Sequence, residues 1–61
     1  MKKLYYVPMY HFRQNCWSRW MITALSEDEA KRMSEDQMGD EWRHGSVQYV
    51  CRTPDDVFKE V

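Results

Sequence analysis

Two histidines and two cysteines are the residues of this chain best suited to metal binding or nucleophilic catalysis. They are His11, Cys16, His44 and Cys51, and the two neighbouring pairs are separated by five and seven positions. Zinc sites that can be predicted from sequence use tighter pairings, such as Cys-x2-Cys. A reactive thiolate needs a basic neighbour that favours its ionisation. Arg13 is near Cys16 in the sequence, but so are bulky aromatic residues, and the sequence therefore does not single out Cys16 as reactive. We therefore expect no metal, no cofactor and no catalytic residue, and the chain is predicted not to be an enzyme.

Aromatic and basic side chains interleave between positions 5 and 20, and this pattern is the most informative one in the sequence. On a sheet surface, such rings stack the bases of a nucleotide or of single-stranded nucleic acid, and each base contributes about 1–3 kcal/mol. The same residue types dominate protein–protein interfaces. A third interpretation is that half of the rings form the core while the rest cover strand edges. The candidate binding residues are Tyr5, Tyr10, Arg13, Trp17, Arg19 and Met21.

Charge is distributed unevenly along the chain, although the formal net charge is only −1. Residues 1–25 contain four basic residues and no acidic one, whereas residues 26–61 contain five basic and ten acidic residues. The acidic side chains of the predicted helix either form a solvated surface or imitate a phosphate track that enters a basic groove of another protein. They also repel phosphates, so duplex DNA is not an expected partner. The candidate acidic surface is Glu27, Asp28, Glu35 and Asp36.

The chain is short for the number of large side chains it carries. It has 61 residues, of which 43% are hydrophobic and nine are aromatic. A domain of this size buries only about 60% of its unfolded surface, so we expect a homo-oligomer, an exposed binding face, or both. No apolar run approaches the roughly 20 residues that span a bilayer, and no membrane association is expected. The N-terminal residues do not have the pattern of a signal peptide. We therefore expect a cytoplasmic protein with reduced thiols.

Two strands joined by a short polar turn are predicted over residues 3–12 and 16–25. Asn15 in the turn tolerates a left-handed backbone conformation. Pro8 has no N–H group to donate to a ladder, and it therefore predicts an edge strand or a bulge. Both faces of the first strand are apolar, so its alternation does not tell which face meets a helix. In the second strand, the predicted helix-facing side chains are Trp20, Ile22 and Ala24, and the predicted outward ones are Trp17, Arg19 and Met21.

A capping box predicts a helix that begins after Ser26. The Ser26 hydroxyl accepts from the backbone N–H of Glu29, and the Glu29 carboxylate reaches back to the N–H of Ser26. The helix is expected over residues 27–38 and ends at Gly39. After a connector in which Trp42 folds back on the core, a strand is expected over residues 46–52, and Thr53-Pro54 begins a second, short helix.

The predicted fold is therefore a single α+β domain over residues 1–61 with the element order ββαβα. A three-stranded, mainly antiparallel sheet carries one helix packed on a face, and a short C-terminal helix completes the chain.

A resemblance to a group of small proteins adds to this interpretation. The strand end Ile22-Thr23-Ala24 and the helix start Ser26-Glu27-Asp28-Glu29-Ala30 resemble a pattern of small bacteriophage and mobile-element proteins of ββαβ type. The resemblance implies an accessory, host-directed binding role and carries over no functional residue. We therefore expect a non-enzymatic binding protein of the host cytoplasm, which inhibits a host or defence protein by steric occlusion or acidic mimicry. The alternative is a nucleotide or single-strand binder that stacks bases on the hairpin aromatics beside Arg.

Overall fold

The computed structural model describes residues 1–61 and consists of one helix and a five-stranded antiparallel sheet. The α+β class and the single long helix are confirmed, whereas the three-stranded sheet and the C-terminal helix are wrong. The elements, in chain order, are β1 (Lys2–His11), β2 (Cys16–Ala24), α1 (Glu27–Met38), β3 (Trp42–His44), β4 (Gln48–Thr53) and β5 (Phe58–Glu60).

The hairpin of β1 and β2 forms the centre of the sheet. Its strands pair over nine positions, from Lys3 opposite Ala24 to His11 opposite Cys16. β5 pairs with the outer edge of β2. β3 and β4 lie one after the other along the outer edge of β1, with β3 beside its C-terminal end and β4 beside its N-terminal end. The sheet is therefore four strands wide.

Local sequence signals set the turn and both helix ends. Asn15 adopts a left-handed conformation with φ 56°, as expected for the hairpin turn. The Ser26 hydroxyl accepts from the backbone N–H of Glu29 at 3.2 Å, so this half of the predicted capping box is confirmed. Gly39 ends the helix with φ 99°, a conformation that a side chain would strain. α1 thus occupies the predicted residues 27–38.

Small side chains let the helix approach one face of the sheet closely. Ala30 and Ser34 are one turn apart, and both are fully buried against the sheet. Met33 and Met38, which are partly buried, also pack against the core. The helix is neither long enough nor apolar enough to cross a bilayer. The buried hydrophobic residues between the layers are Tyr5, Val7, Met9, Ile22, Ala24 and Ala30.

Alternation along the central strands separates a covered face from an uncovered one. The odd-numbered residues of β1 from Tyr5 to His11 are all buried, and they settle which face of that strand meets the helix. In β2, Ile22 and Ala24 are buried and Trp20 packs against the core, so the predicted helix-facing set is confirmed. No helix covers the other face, because α1 is the only one and it lies on the first.

Pro8 lies in an inner strand, so the edge strand or bulge expected from it is wrong. Its carbonyl oxygen accepts from the backbone N–H of Gly45 at 2.8 Å. In a strand, the backbone nitrogen and the carbonyl of one residue point to the same side. The Pro8 nitrogen, which has no hydrogen to donate, therefore also faces Gly45. Gly45 lies between β3 and β4, where the ladder is already interrupted. The irregularity along β1 falls between Leu4 and Tyr5 instead.

The chain after β4 forms a turn and a strand instead of the predicted second helix. Thr53 Oγ1 accepts from the N–H of Asp55 at 3.2 Å, which closes a turn but not a helix. Thr23 then binds Val57, with Thr23 N donating to Val57 O and Val57 N donating to Thr23 Oγ1, both at 2.9 Å. The few residues after Pro54 would make only a marginal helix, whereas the free edge of β2 offers a ladder.

The predicted connector also contains a strand, β3, and the third predicted strand begins at Gln48 instead of Ser46. Trp42 folds back on the core as expected, and its ring meets that of His11 edge-on with centroids 4.7 Å apart. The N–H of Phe12 donates to Glu41 O at 3.2 Å, which holds the connector against the end of β1.

Candidate functional site

The uncovered face of the sheet, called the open face below, is the best candidate for a functional site. Its residues alternate with the core residues along the same strands. Their placement follows from the pairing register: Tyr10 lies opposite Trp17, Pro8 opposite Arg19, and Tyr6 opposite Met21. β3 and β5 extend the face on its two sides. The residues of the open face include Lys2, Leu4, Tyr6, Pro8, Tyr10, Phe12, Trp17, Arg19, Met21, Arg43, Gln48, Cys51 and Lys59.

Trp17 is the most exposed ring of the open face, yet neighbouring residues hold it in place. Its residue exposure is 62%. The ring centroid lies 5.1 Å from that of Tyr10, with the two planes tilted by 50°. Gly45 lies against the ring, since a Cβ atom at position 45 would lie only 3.0 Å from Trp17 Cζ3 and 3.2 Å from Pro8 Cγ. An exposed aromatic that is already fixed loses little conformational entropy when a partner covers it.

Four cations and no carboxylate lie on the strands of the open face, and one of them, Lys2, is paired with Asp56 of the connector between β4 and β5. Arg19 is exposed in β2, and Lys59 lies in β5 opposite Met21. Arg43 lies in β3, where its guanidinium is 5.3 Å from the ring centroid of Phe12 and donates to Asp40 O at 2.6 Å. These contacts fix the cation while leaving its charge uncompensated. The open face therefore has a positive potential.

The helix layer has the opposite charge. α1 carries five acidic residues and two basic ones. On the same side of the sheet, Glu60 lies opposite Trp20, and Lys3 lies opposite Arg52, so six acidic residues face four basic ones on this layer. Two of the predicted acidic-surface residues have internal partners: Glu27 pairs with Lys31 at 3.2 Å, and Glu35 with His44 Nδ1 at 2.8 Å. The other two, Asp28 and Asp36, are exposed. The molecule is therefore polarised across its thickness.

Four of the six predicted binding residues come together on the open face. They are Tyr10, Trp17, Arg19 and Met21. Tyr5 does not join them, because it is 4% exposed and its ring packs edge-on against Tyr49 on the helix side. Its burial does not support the prediction of Tyr5 as a contact residue, because Tyr5 lies one position out of phase with Tyr6 and Tyr10.

Arg13 is exposed but lies at the hairpin turn, away from the centre of the open face. Its Nε is 3.3 Å from Glu41 Oε1, so its charge is already compensated. The same carboxylate contacts His11 Nε2 at 2.9 Å. His11 is buried, and its Nδ1 accepts from the N–H of Gln14 at 3.0 Å. These bonds assign the neutral Nε2–H tautomer and give the cluster a structural role.

Sequence reasoning missed several residues of the open face, and Phe12, Arg43 and Lys59 are the ones among them that bear most on binding. Arg43 and Lys59 belong to segments that were expected to be a connector and a helix, so no strand alternation was applied to them. Phe12 shares the period of Tyr6 and Tyr10, and this signal was sufficient to find it. The exposure of Phe12 is 47%, second only to that of Trp17 among the rings of this face.

The histidines and cysteines do not converge. Cys16 is exposed opposite His11 at one end of β1, whereas Cys51 is exposed opposite Leu4 near the other end. His44 lies beside Met9 and binds Glu35 instead of the neighbouring acids Asp40 and Glu41. No group of three His, Cys, Asp or Glu side chains is arranged to hold a metal ion.

Comparison with known proteins identifies no relative. No protein-family model matches the chain, and neither the curated proteins nor the solved structures give a significant match. Functional inference therefore depends on the geometry and charge of the open face.

Proposed function

We propose that this chain is a non-enzymatic binding protein whose open face holds an acidic surface of another protein. The observation that carries the proposal is the contrast between the two faces of one sheet. α1 covers one face, whereas the strands of the other present aromatic and apolar side chains with four cations and no carboxylate, and only Lys2 among these cations has an acidic partner, Asp56. Trp, Tyr and Arg are the residue types that dominate binding energy at protein interfaces.

The orientation of the rings favours a protein over a single-stranded nucleic acid. Base stacking uses open ring faces, usually several in succession. Trp17 packs against Gly45, which leaves one free side of its ring, enough to stack a single base but not several in succession. Tyr10 is tilted against it, and Arg43 covers Phe12. The net charge of −1 and the acidic helix layer also oppose binding to a polyanion. Nucleotide or single-strand binding is therefore the second candidate.

The partner that fits this face is a host protein with an acidic, partly apolar patch. The host assignment derives from the resemblance to small bacteriophage and mobile-element proteins, and the acidic character derives from charge complementarity. The mechanism is steric occlusion of the patch in the host cytoplasm. Acidic mimicry by α1 has weaker support, because Glu27 and Glu35 are engaged within the chain.

Self-association remains a separate prediction. Contact between two copies through their open faces would oppose like charges from Arg19, Arg43 and Lys59, which is unfavourable. A second copy fits better at the outer edge of β4, where Tyr49 and Val50 are 54% and 47% exposed. Sedimentation velocity over a range of concentrations tests this, and a monomer at every concentration would contradict it.

Capture from a bacterial host lysate, followed by reconstitution with the purified captured protein, tests the proposed function. Arg19→Glu and Arg32→Glu form a matched pair, because both side chains are exposed, both changes lower the net charge equally, and the two residues lie on opposite layers. We expect Arg19→Glu to weaken binding at least tenfold, about 1.4 kcal/mol, and Arg32→Glu to leave it within twofold.

The opposite pattern would overturn the assignment to the open face. Equal binding by Arg19→Glu and the unchanged protein would exclude that face, and a loss confined to Asp36→Lys would favour mimicry by the helix. Binding of an oligonucleotide that is lost in Trp17→Ala would favour the second candidate.

A further inference from the structure

We infer that the segment of the partner held on the open face is an amphipathic α-helix with acidic flanks, lying along the strands. This inference rests on the proposed function, because it specifies the form of the protein surface that the same face binds. Such a helix would give the sheet a second helical layer opposite α1.

The dimensions of the open face match a single helix. β1 has ten residues and is about 33 Å long at the usual rise of a strand. The sheet is four strands wide, or about 14 Å at the usual strand spacing. An α-helix with its side chains is about 10–12 Å across, and about 18 residues span 27 Å. One helix therefore fills the face, with room for charged flanks on both sides.

The side chains of the open face also complement an amphipathic helix with acidic flanks. The centre is mostly apolar or aromatic, with Pro8 and Tyr10 in β1 and Met21 in β2, and it contains one cation, Arg19, opposite Pro8. Cations border this centre on opposite sides, with Lys59 in β5 and Arg43 in β3. A helix with an apolar stripe and acidic side chains on each flank complements both features.

Trp17 sets a further requirement on the partner helix. The ring starts from β2 and lies against Gly45, which is hydrogen-bonded to Pro8 on the far side of β1, so this 62% exposed ring stands across the middle of the face. A helix can lie flat only if a small residue faces this ring. We therefore expect a glycine, alanine or serine at the central position of the stripe, flanked by larger apolar residues.

Two other occupants fit less well. An extended peptide binds to the edge of a sheet, where its backbone finds hydrogen-bonding partners, and the face offers none. A second copy of this chain has only one helix, and the apolar side of that helix is already buried on its own sheet through Ala30 and Ser34. The partner must therefore supply a helix whose apolar stripe is free.

Synthetic peptides of about 18 residues, labelled for fluorescence anisotropy, test the inference with the full chain. The first peptide places leucines on a helical stripe with a central alanine and glutamates on both flanks. The second has the same composition rearranged to alternate with period two, and the third replaces every glutamate by lysine. We expect the first peptide to bind at least tenfold more tightly than the others and to gain helical circular dichroism on binding. Arg19→Glu should remove this advantage, and Arg32→Glu should preserve it.

The outcomes separate the inference from the proposed function. Equal binding of the first two peptides, or no binding of the first, would overturn the helical form of the ligand, while the capture experiment still decides whether the open face binds a protein. Binding of an oligothymidine that is lost in Trp17→Ala, without binding of any peptide, would overturn both.

Discussion

The indole ring of Trp17 lies against the backbone of Gly45, so closely that a Cβ atom at position 45 would come within 3.0 Å of Trp17 Cζ3. The two residues belong to different parts of the chain, the start of β2 and the connector between β3 and β4. Their contact explains how a ring with 62% exposure keeps one orientation on the open face. It also makes glycine necessary at position 45 for reasons of space, whereas Gly39 is needed for its φ of 99°.

Gly45→Ala should impair partner binding with little loss of stability. The added methyl group displaces the Trp17 ring, which can swing into solvent, so we expect a change in free energy of unfolding of no more than about 1 kcal/mol. Gly39→Ala is the control: nothing lies within 4 Å of its Cβ position, but its positive φ costs about 1 kcal/mol or more. Urea unfolding and a binding titration distinguish them. Unchanged affinity in Gly45→Ala would show that partner binding does not require the packing of the Trp17 ring on Gly45.

Trp17→Ala should mainly weaken partner binding, whereas Trp20→Ala should mainly lower the stability of the fold. Trp17 is on the open face, so its loss should cost about 2 kcal/mol of binding and less than about 1 kcal/mol of stability. Trp20 packs against the core and against Phe58, with ring centroids 5.4 Å apart, so its loss should cost about 3 kcal/mol of stability. Urea unfolding and affinity measurements check both values. Equal destabilisation by the two changes would contradict the assignment of faces.

Most of the fold could be predicted because its signals are local. The Ser26 cap, the turn at Asn15 and the alternation in β2 are set by neighbouring residues. β3 and β5 could not be predicted because they depend on distant partners. β3 pairs along the free edge at the end of β1, and β5 forms where Thr23 binds Val57. Pro8 was misleading because the connector between two short strands lies beside it, which no local pattern reveals.

Glu41→Ala should destabilise the protein more than Glu41→Gln. Both changes remove the ion pair with Arg13, but glutamine keeps a carbonyl oxygen that accepts from His11 Nε2. In Glu41→Ala the buried imidazole N–H loses its partner, which costs about 1–3 kcal/mol. Urea denaturation at neutral pH measures the difference. Equal loss in the two variants would contradict the neutral Nε2–H tautomer.

Thr23→Val should release β5, although the two side chains have nearly the same shape. The Thr23 hydroxyl accepts from Val57 N at 2.9 Å and contacts Val57 O at 3.3 Å, and valine can replace neither bond. We expect a loss of about 1–3 kcal/mol and faster amide exchange at Val61, whose N–H donates to Arg19 O at 2.8 Å. Thr23→Ser keeps both bonds and serves as the control. Unprotected exchange at Val61 in the unchanged protein would contradict the presence of β5.

The candidate site was predicted less completely than the fold, for a physical reason. A face that lines up Tyr10, Trp17 and Arg19 follows from the period of two strands and the hairpin register. The choice between Tyr5 and Tyr6 does not follow, because both faces of β1 are apolar and only the position of α1 decides which one is buried. Arg43 and Lys59 enter the face through long-range pairing.

Photo-crosslinking to the partner in a host lysate tests the central claim most directly, because it reports which layer of the molecule is in contact. A p-benzoylphenylalanine at position 21, in Met21→p-benzoylphenylalanine, probes the open face, and one in Gln37→p-benzoylphenylalanine probes the exposed side of α1. We predict a covalent adduct with the partner from position 21 and none from position 37. An adduct from position 37 alone would contradict the open face as the binding surface.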